Sequence, residues 1–271
     1  MKFNFIGKGR IAAGIIATAV VAAGSIGVFA ANSMDVVQKD VLMSETGTHN
    51  NVQLSNTAQV LIDSRGNIEY VRTVHTITEN DKSSSSKSYT AESWLNPVTF
   101  ENREDCKIVS GENNVEDFHS TYLKNNGIDA VTIQRDLQGN VVSGTITKMS
   151  EVIAEKNGAV TRQRSFKNIK ERGLLPEWKD EGVEKNSEGK ELKKLSQTYL
   201  SANEDNVQVN TRLILYVDTA TEFPVKEELY QDVNGTMQLL WYDSYEYKYV
   251  NDDGKLFDTS GVRLEEKSMN N

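Results

Sequence analysis

Side chains able to do covalent or metal chemistry are few in these 271 residues: one cysteine, Cys106, and three histidines, His49, His75 and His119. A lone cysteine rules out a disulfide or a cysteine-based zinc cluster within one chain. The histidines are too scattered for a short metal motif. Cys106 follows Glu104 and Asp105, whose negative charge disfavours a thiolate, so it reads as an inert thiol. His75, between Val71 and Ile77, reads first as a hydrogen-bonded structural histidine and second as a pH switch. Ser84 and Lys87 match the Ser-x-x-Lys spacing of some acyl-transfer enzymes. That chemistry needs a helix start and a buried lysine, and a serine run between strand-like segments supplies neither. Asn251-Asp252-Asp253-Gly254 opens like a calcium loop but lacks the spaced oxygens and distal glutamate, so it reads as a turn. Asn234-Gly235-Thr236 has the form of a glycosylation triplet, which a hairpin turn also explains. Glu227 and Glu228 point to opposite faces of any strand that holds them. With no Gly-x-Ser-x-Gly, phosphate loop or His-Glu-x-x-His, no catalytic residue, metal ligand or cofactor is assigned, and a non-enzymatic binding protein is expected.

The elements that would position a binding surface are mostly strands. Thr57–Asp63 and Ile68–Ile77 alternate apolar and polar residues, with the β-branched and aromatic content of strands. Asp63 to Gly66 joins them, and the same Asp-x-x-Gly spacing returns at Asp136–Gly139 and Asp232–Gly235. Each is read as a type I turn closed by a left-handed glycine, and three such hairpins predict an antiparallel meander. Residues 150–195 break the pattern as a helical, charged insertion. A short helix is predicted at Ser165–Arg172, the Leu174–Trp178 piece is placed to begin another, and Lys179–Lys194 reads as solvated. Strands resume at Leu195–Leu200 and Val207–Asp218. In Leu239–Val250 the residues Leu239, Trp241, Tyr245, Tyr247 and Tyr249 share one parity, which predicts a long, half-buried strand.

The N-terminus sets the compartment. Lys2, Lys8 and Arg10 precede an uncharged run from Ile11 to Ala30, the pattern of an export signal, with Val28 and Ala30 at the −3 and −1 positions of a cleavage site. The run's length serves a cleaved signal peptide and a retained membrane anchor equally. Either way the rest is extracytoplasmic, secreted or held at the outer face of the cytoplasmic membrane. Without those three basic residues, 27 basic face 39 acidic side chains, a net charge of −12. Such a surface repels nucleic acid. Residues 31–52 read as a tether or short helix, 53–266 as the folded domain and 267–271 as a disordered tail.

Leu215-Tyr216-Val217-Asp218, a tight reversal, Phe223-Pro224-Val225-Lys226-Glu227-Glu228, the Asp232–Gly235 turn, the aromatic strand and Leu256-Phe257 follow one another in an order that resembles the C-terminal part of the LolA-like and RseB-like superfamily of bacterial envelope proteins. Glu222 stands where that pattern commonly has glycine. Ser93-Trp94-Leu95-Asn96-Pro97 through Arg103 is a second echo. The resemblance implies a mainly β (α+β) fold: a strongly curved antiparallel sheet, an unclosed half-barrel, with a few short helices on its concave side. It further implies a groove for a hydrophobic ligand, lipid or lipoprotein, and parity nominates Trp94, Leu213, Leu215, Trp241, Tyr245 and Tyr247 to line it. The alternative is an envelope protein-interaction or sensing module with no ligand cavity. Contact with the membrane would run through the N-terminal segment if it is uncleaved.

Overall fold

The computed structural model describes residues 67–78, 88–110, 114–203 and 207–267. The expected N-terminal run, the tether, the Thr57–Asp63 strand with its Asp63–Gly66 turn, the serine run and the tail from 268 lie outside them. Among the described residues twelve strands form one sheet. They are β1 (Ile68–Ile77), β2 (Ser88–Leu95), β3 (Asn102–Ser110), β4 (Asn114–Lys124), β5 (Asp129–Arg135), β6 (Val141–Lys148), β7 (Lys179–Lys185), β8 (Glu191–Ala202), β9 (Gln208–Asp218), β10 (Pro224–Val233), β11 (Thr236–Val250) and β12 (Leu264–Lys267). Two helices, α1 (Glu151–Gln163) and α2 (Phe166–Arg172), separate β6 from β7. The spatial order is β12-β6-β5-β4-β3-β2-β1-β11-β10-β9-β8-β7, so the sheet is curved and unclosed, as the resemblance implied. β1 has both edges occupied, by β2 and β11. All described pairings are antiparallel except β12 on β6, which is parallel.

Local turn chemistry explains the meander, with one correction. At Asp136–Gly139 the Gly139 amide donates to the Asp136 carbonyl at 3.0 Å, and the Asp136 carboxylate accepts the amides of Gln138 and Asn140. At Asp232–Gly235 both Asn234 (φ 54°) and Gly235 (φ 82°) are left-handed, so this is a type I′ hairpin and not the type I turn expected. Its twist matches that of the strands it joins.

The charged section also differs from its reading. Lys179–Lys194 is not merely solvated: it forms β7, a turn and the start of β8. β7 is exposed along its whole length and charged on both faces, which erases the apolar period that marks strands. Asp180 meets Lys193 at 3.1 Å and Glu184 meets Lys194 at 3.7 Å, so cross-strand charge replaces apolar pairing. An edge strand built this way resists further pairing. Leu174–Trp178 is a turn, not a helix start, since Leu174 and Trp178 donate back to Glu171 and Leu175 as the chain leaves α2. α2 itself falls where predicted, capped by Ser165, whose side chain accepts the Asn168 amide. No helix among the described residues is long and apolar enough to cross a membrane.

Register sorts the sheet's side chains onto two faces. The first face carries Glu69, Val71, Thr73, His75 and Ile77 of β1. Opposite them on β11 stand Tyr249, Tyr247, Tyr245, Asp243 and Trp241. Both helices lie on this face, with Phe166 packed on Tyr247 and Tyr249 and Arg164 paired with Glu104 of β3. The second face is crossed by residues 251–263. There the Leu256 and Phe257 carbonyls accept from Arg103 and Lys124, and Val262 and Leu264 pack against Tyr122, Val131 and Ile133.

Candidate functional site

The first face beneath α2 is where a ligand groove was expected, and it is built from charge and aromatic rings. Arg172, the last residue of α2, donates two bonds to Glu227 of β10, at 2.8 and 2.7 Å. Glu227 is 0% exposed, so the guanidinium is its essential counter-charge. Burial pulls the Arg172 pKa down, and the neighbouring carboxylate outweighs it and leaves it raised. The Tyr245 hydroxyl lies 3.1 Å from Glu227 and 3.2 Å from Asp243, so its one proton bridges two carboxylates. Burial and those two acids hold the phenol well above its ordinary pKa, which keeps it a donor. His75 Nδ1 sits 2.7 Å from Asp243, and its ring stacks on Tyr89 at 4.7 Å and leans on Trp241 at 5.3 Å. The structural reading of His75 thus has its hydrogen-bond partner, which comes from across the β1–β11 pairing.

An aromatic clamp closes the neighbouring ground. Phe166 lies edge-on to Phe223 (4.9 Å), Tyr247 (5.7 Å) and Tyr249 (4.9 Å), while Phe223 stacks on Tyr247 at 4.4 Å. The turn that delivers Phe223 places Glu222 at φ 65°, a left-handed position that glycine adopts without steric cost. Lys170 covers the outer side of Phe223, 4.7 Å from its ring centre.

Glu69 completes the attachment of α2 by accepting the Phe166 amide at 2.9 Å. It is buried and has no cation within ion-pair distance among the described residues. Burial therefore raises its pKa above the ordinary 4.5, and the amide only partly offsets this. A raised carboxyl contributes stability that is complete below the unfolded pKa and is lost as pH climbs through the folded one. Glu69→Gln keeps an acceptor and removes the charge. It should add about 1 kcal/mol of stability at pH 7 and nothing below about pH 4. Urea denaturation of both proteins at the two pH values measures this; equal gains at both would show that the charge is not the cause.

Of the six nominated groove residues, the structure brings five onto one face. Leu213 and Leu215 are buried in β9, opposite Leu229 and Glu227 of β10. Trp241, Tyr245 and Tyr247 line β11 beside them. Trp94 lies on the second face, tilted against Tyr70 at 5.4 Å and covered by Arg103 at 4.9 Å. Parity sorts side chains only within a strand, and the face that β2 shares with β11 depends on the intervening β1 register.

Sequence reasoning missed the charged network, because Arg172, Glu227, Asp243 and His75 come from four separate elements. It also missed that Cys106 stands directly opposite His119 in the β3–β4 register. His119 Nδ1 lies 2.9 Å from Asp117, and Gln134 also donates to Asp117. The order Cys, His, Asp resembles a nucleophile, base and orienter. Its electrostatics oppose that use, since burial pushes the Cys106 thiol up to about 12, and Glu104, Asp117 and Asp105 reinforce the shift. Cys106 lies in the middle of β3. Among the described residues no three acidic, histidine or cysteine side chains are grouped to hold a metal ion.

No family model matches the chain, and no curated protein does. Among solved structures it is similar to a chain of the Pseudomonas aeruginosa MucA/MucB complex, with 12% identity, 78% of this chain and 62% of that chain covered, and a TM-score of 0.36. MucB in complex with MucA(peri) matches at 14% identity over 75% of this chain and 58% of that one, with a TM-score of 0.32. A β-barrel-like protein of a domain of unknown function from Brucella abortus matches at 9% identity over 69% of this chain and 97% of that one, with a TM-score of 0.22. The chain spans less than two thirds of the two MucB-complex chains it matches. A likeness of this degree is one of strand layout and assigns neither partner nor activity.

Proposed function

We propose that this chain is a non-enzymatic, extracytoplasmic protein-interaction module of the bacterial cell envelope. The observation that carries the reading is the closed, ion-paired ground beneath α2. A carrier of acyl chains needs an apolar cleft, and an acyl chain inserted between α2 and β10 would separate Arg172 from a carboxylate with no access to water. The space is already filled by Phe166, Phe223 and Tyr247. Exposed side chains of both signs then leave protein partners as the natural ligands. The extracytoplasmic location rests on the basic start and uncharged run of residues 1–30. MucB, seen in complex with MucA(peri), is an instance of such a pairing among the similar structures.

The carrier reading retains one observation in its favour: Leu213, Leu215, Trp241, Tyr245 and Tyr247 share a face, as a groove lining requires. It would need α2 to lift. Native mass spectrometry of the protein exported by its own host separates the two. Recovery with a stoichiometric protein partner and no lipid is expected. A lipid adduct that survives purification would overturn the interaction reading in favour of the carrier.

A further inference from the structure

We infer that the turn leaving α2, from Gly173 to Trp178, seats Leu174, Leu175 and Trp178 in the surface of a phospholipid bilayer. The inference goes beyond the interaction reading and does not rest on it. Exposed turns are ordinarily built from glycine, asparagine, aspartate and serine. This one reads Leu174-Leu175-Pro176-Glu177-Trp178. Leu174 is 78% exposed and Leu175 45%, so the pair leaves most of its apolar surface in water.

The leucines are not a loose excursion. The Leu174 amide donates to the Glu171 carbonyl, the Leu175 amide to Arg172 and the Trp178 amide to Leu175, so the turn has a fixed shape. Its base is fixed as well. A Cβ on Gly173 would meet Val217 and Leu195 of the sheet at 3.4 and 3.5 Å. The Trp178 ring centre lies 5.8 Å from the Arg172 guanidinium that binds Glu227. An anchored turn thus holds two adjacent leucines outward, where they return little packing.

Composition selects the occupant. The energetic centres of protein interfaces favour tryptophan, tyrosine and arginine, and leucine and lysine are scarce there. Here the apolar pair is leucine, and the solvent-facing cations near it in the chain are Lys167, Lys170 and Lys179. These types have defined places at a bilayer surface: leucine among the acyl chains, tryptophan at headgroup level, and lysine reaching up to phosphate oxygens on an apolar stem. Lys170 pairs with Glu222 at 3.8 Å and Lys179 with Glu181 at 3.0 Å, and such solvent-facing pairs are weak enough to exchange for phosphate. Glu177 limits the depth, since its carboxylate stays among the headgroups and only the leucines enter. Where the uncharged run of residues 11–30 is retained, it keeps the chain at such a surface, so a contact too weak to recruit the protein by itself suffices.

Tryptophan fluorescence of the full chain, reconstituted into vesicles of phosphatidylethanolamine and phosphatidylglycerol, tests this with brominated acyl chains as the quencher. Brominated lipid should quench the wild type, and Trp178→Phe should remove at least about half of that quenching. Trp94 and Trp241, held on the two faces of the sheet, account for the remainder. Leu174→Glu combined with Leu175→Glu should remove as much and leave the melting temperature unchanged, since both side chains are exposed. Quenching that is absent, or that survives in the double glutamate variant, overturns the proposal. So does a Trp178 that stays as accessible to acrylamide in vesicles as in detergent, the result expected if the leucines serve a protein partner instead. Should the double variant unfold, undiminished quenching in Trp178→Phe overturns it.

Discussion

Arg172→Ala should destabilise the protein by about 3–5 kcal/mol, the cost of leaving a buried carboxylate without its counter-charge. Glu227 is 0% exposed and takes both of its short bonds from this one guanidinium. The Tyr245 hydroxyl cannot replace it, being neutral and shared with Asp243. Most of the loss is therefore the penalty on the surviving partner, and a double variant reveals this. Arg172→Met with Glu227→Gln removes both charges and keeps the volume, so it should recover most of the stability that Arg172→Ala loses. Urea denaturation of the two variants provides the comparison. A loss below about 1 kcal/mol in Arg172→Ala would mean that water reaches Glu227, and the closed ground beneath α2 would have to be abandoned.

Phe166→Ala should cost a further 3–5 kcal/mol or so, measured on its own, because it deletes a buried ring and leaves a cavity that three other rings line. Phe166 is 3% exposed. Its edge-on contacts with Phe223, Tyr247 and Tyr249 add directional attraction to the lost burial. Phe166→Leu restores most of the apolar area without those contacts and should cost roughly 1–2 kcal/mol. The backbone bond to Glu69 survives both changes, so the difference isolates the ring. Amide hydrogen exchange at Ile169–Arg172 should accelerate in Phe166→Ala before the β9 and β10 amides do, because α2 holds to the sheet through this ring, Arg172 and the bond to Glu69, and the variant loses the first of these. Simultaneous loss of protection in α2 and the sheet would contradict a separately attached helix.

Local signals made much of the architecture legible. Alternation in Ile68–Ile77 and in Leu239–Val250 is a property of neighbouring residues, so it appears in the chain without knowledge of any partner. The Asp136–Gly139 and Asp232–Gly235 turns are likewise closed by atoms a few residues apart. β7 escaped because an edge strand needs no apolar face and this one is paired by charge. The candidate site was legible in part: Leu213, Leu215, Trp241, Tyr245 and Tyr247 do share a face, but the acids and bases among them carried no pattern. Alternation puts Glu227 and Glu228 on opposite faces but cannot say that Glu227 is buried, because its partner lies 55 residues away along the chain.

Composition, period and turn chemistry alone thus determined that this is an acidic chain of antiparallel strands with an uncharged N-terminal run, poor in the residues of known catalytic motifs. Tertiary structure decided what those strands enclose. Only register sets Cys106 against His119 and places Trp94 on the face away from Trp241. Only the docking of α2 turns the expected apolar groove into ion-paired ground. The physical reason is range: a strand's period is fixed by bonds between adjacent residues, whereas a buried charge becomes tolerable only when a distant part of the chain supplies its opposite.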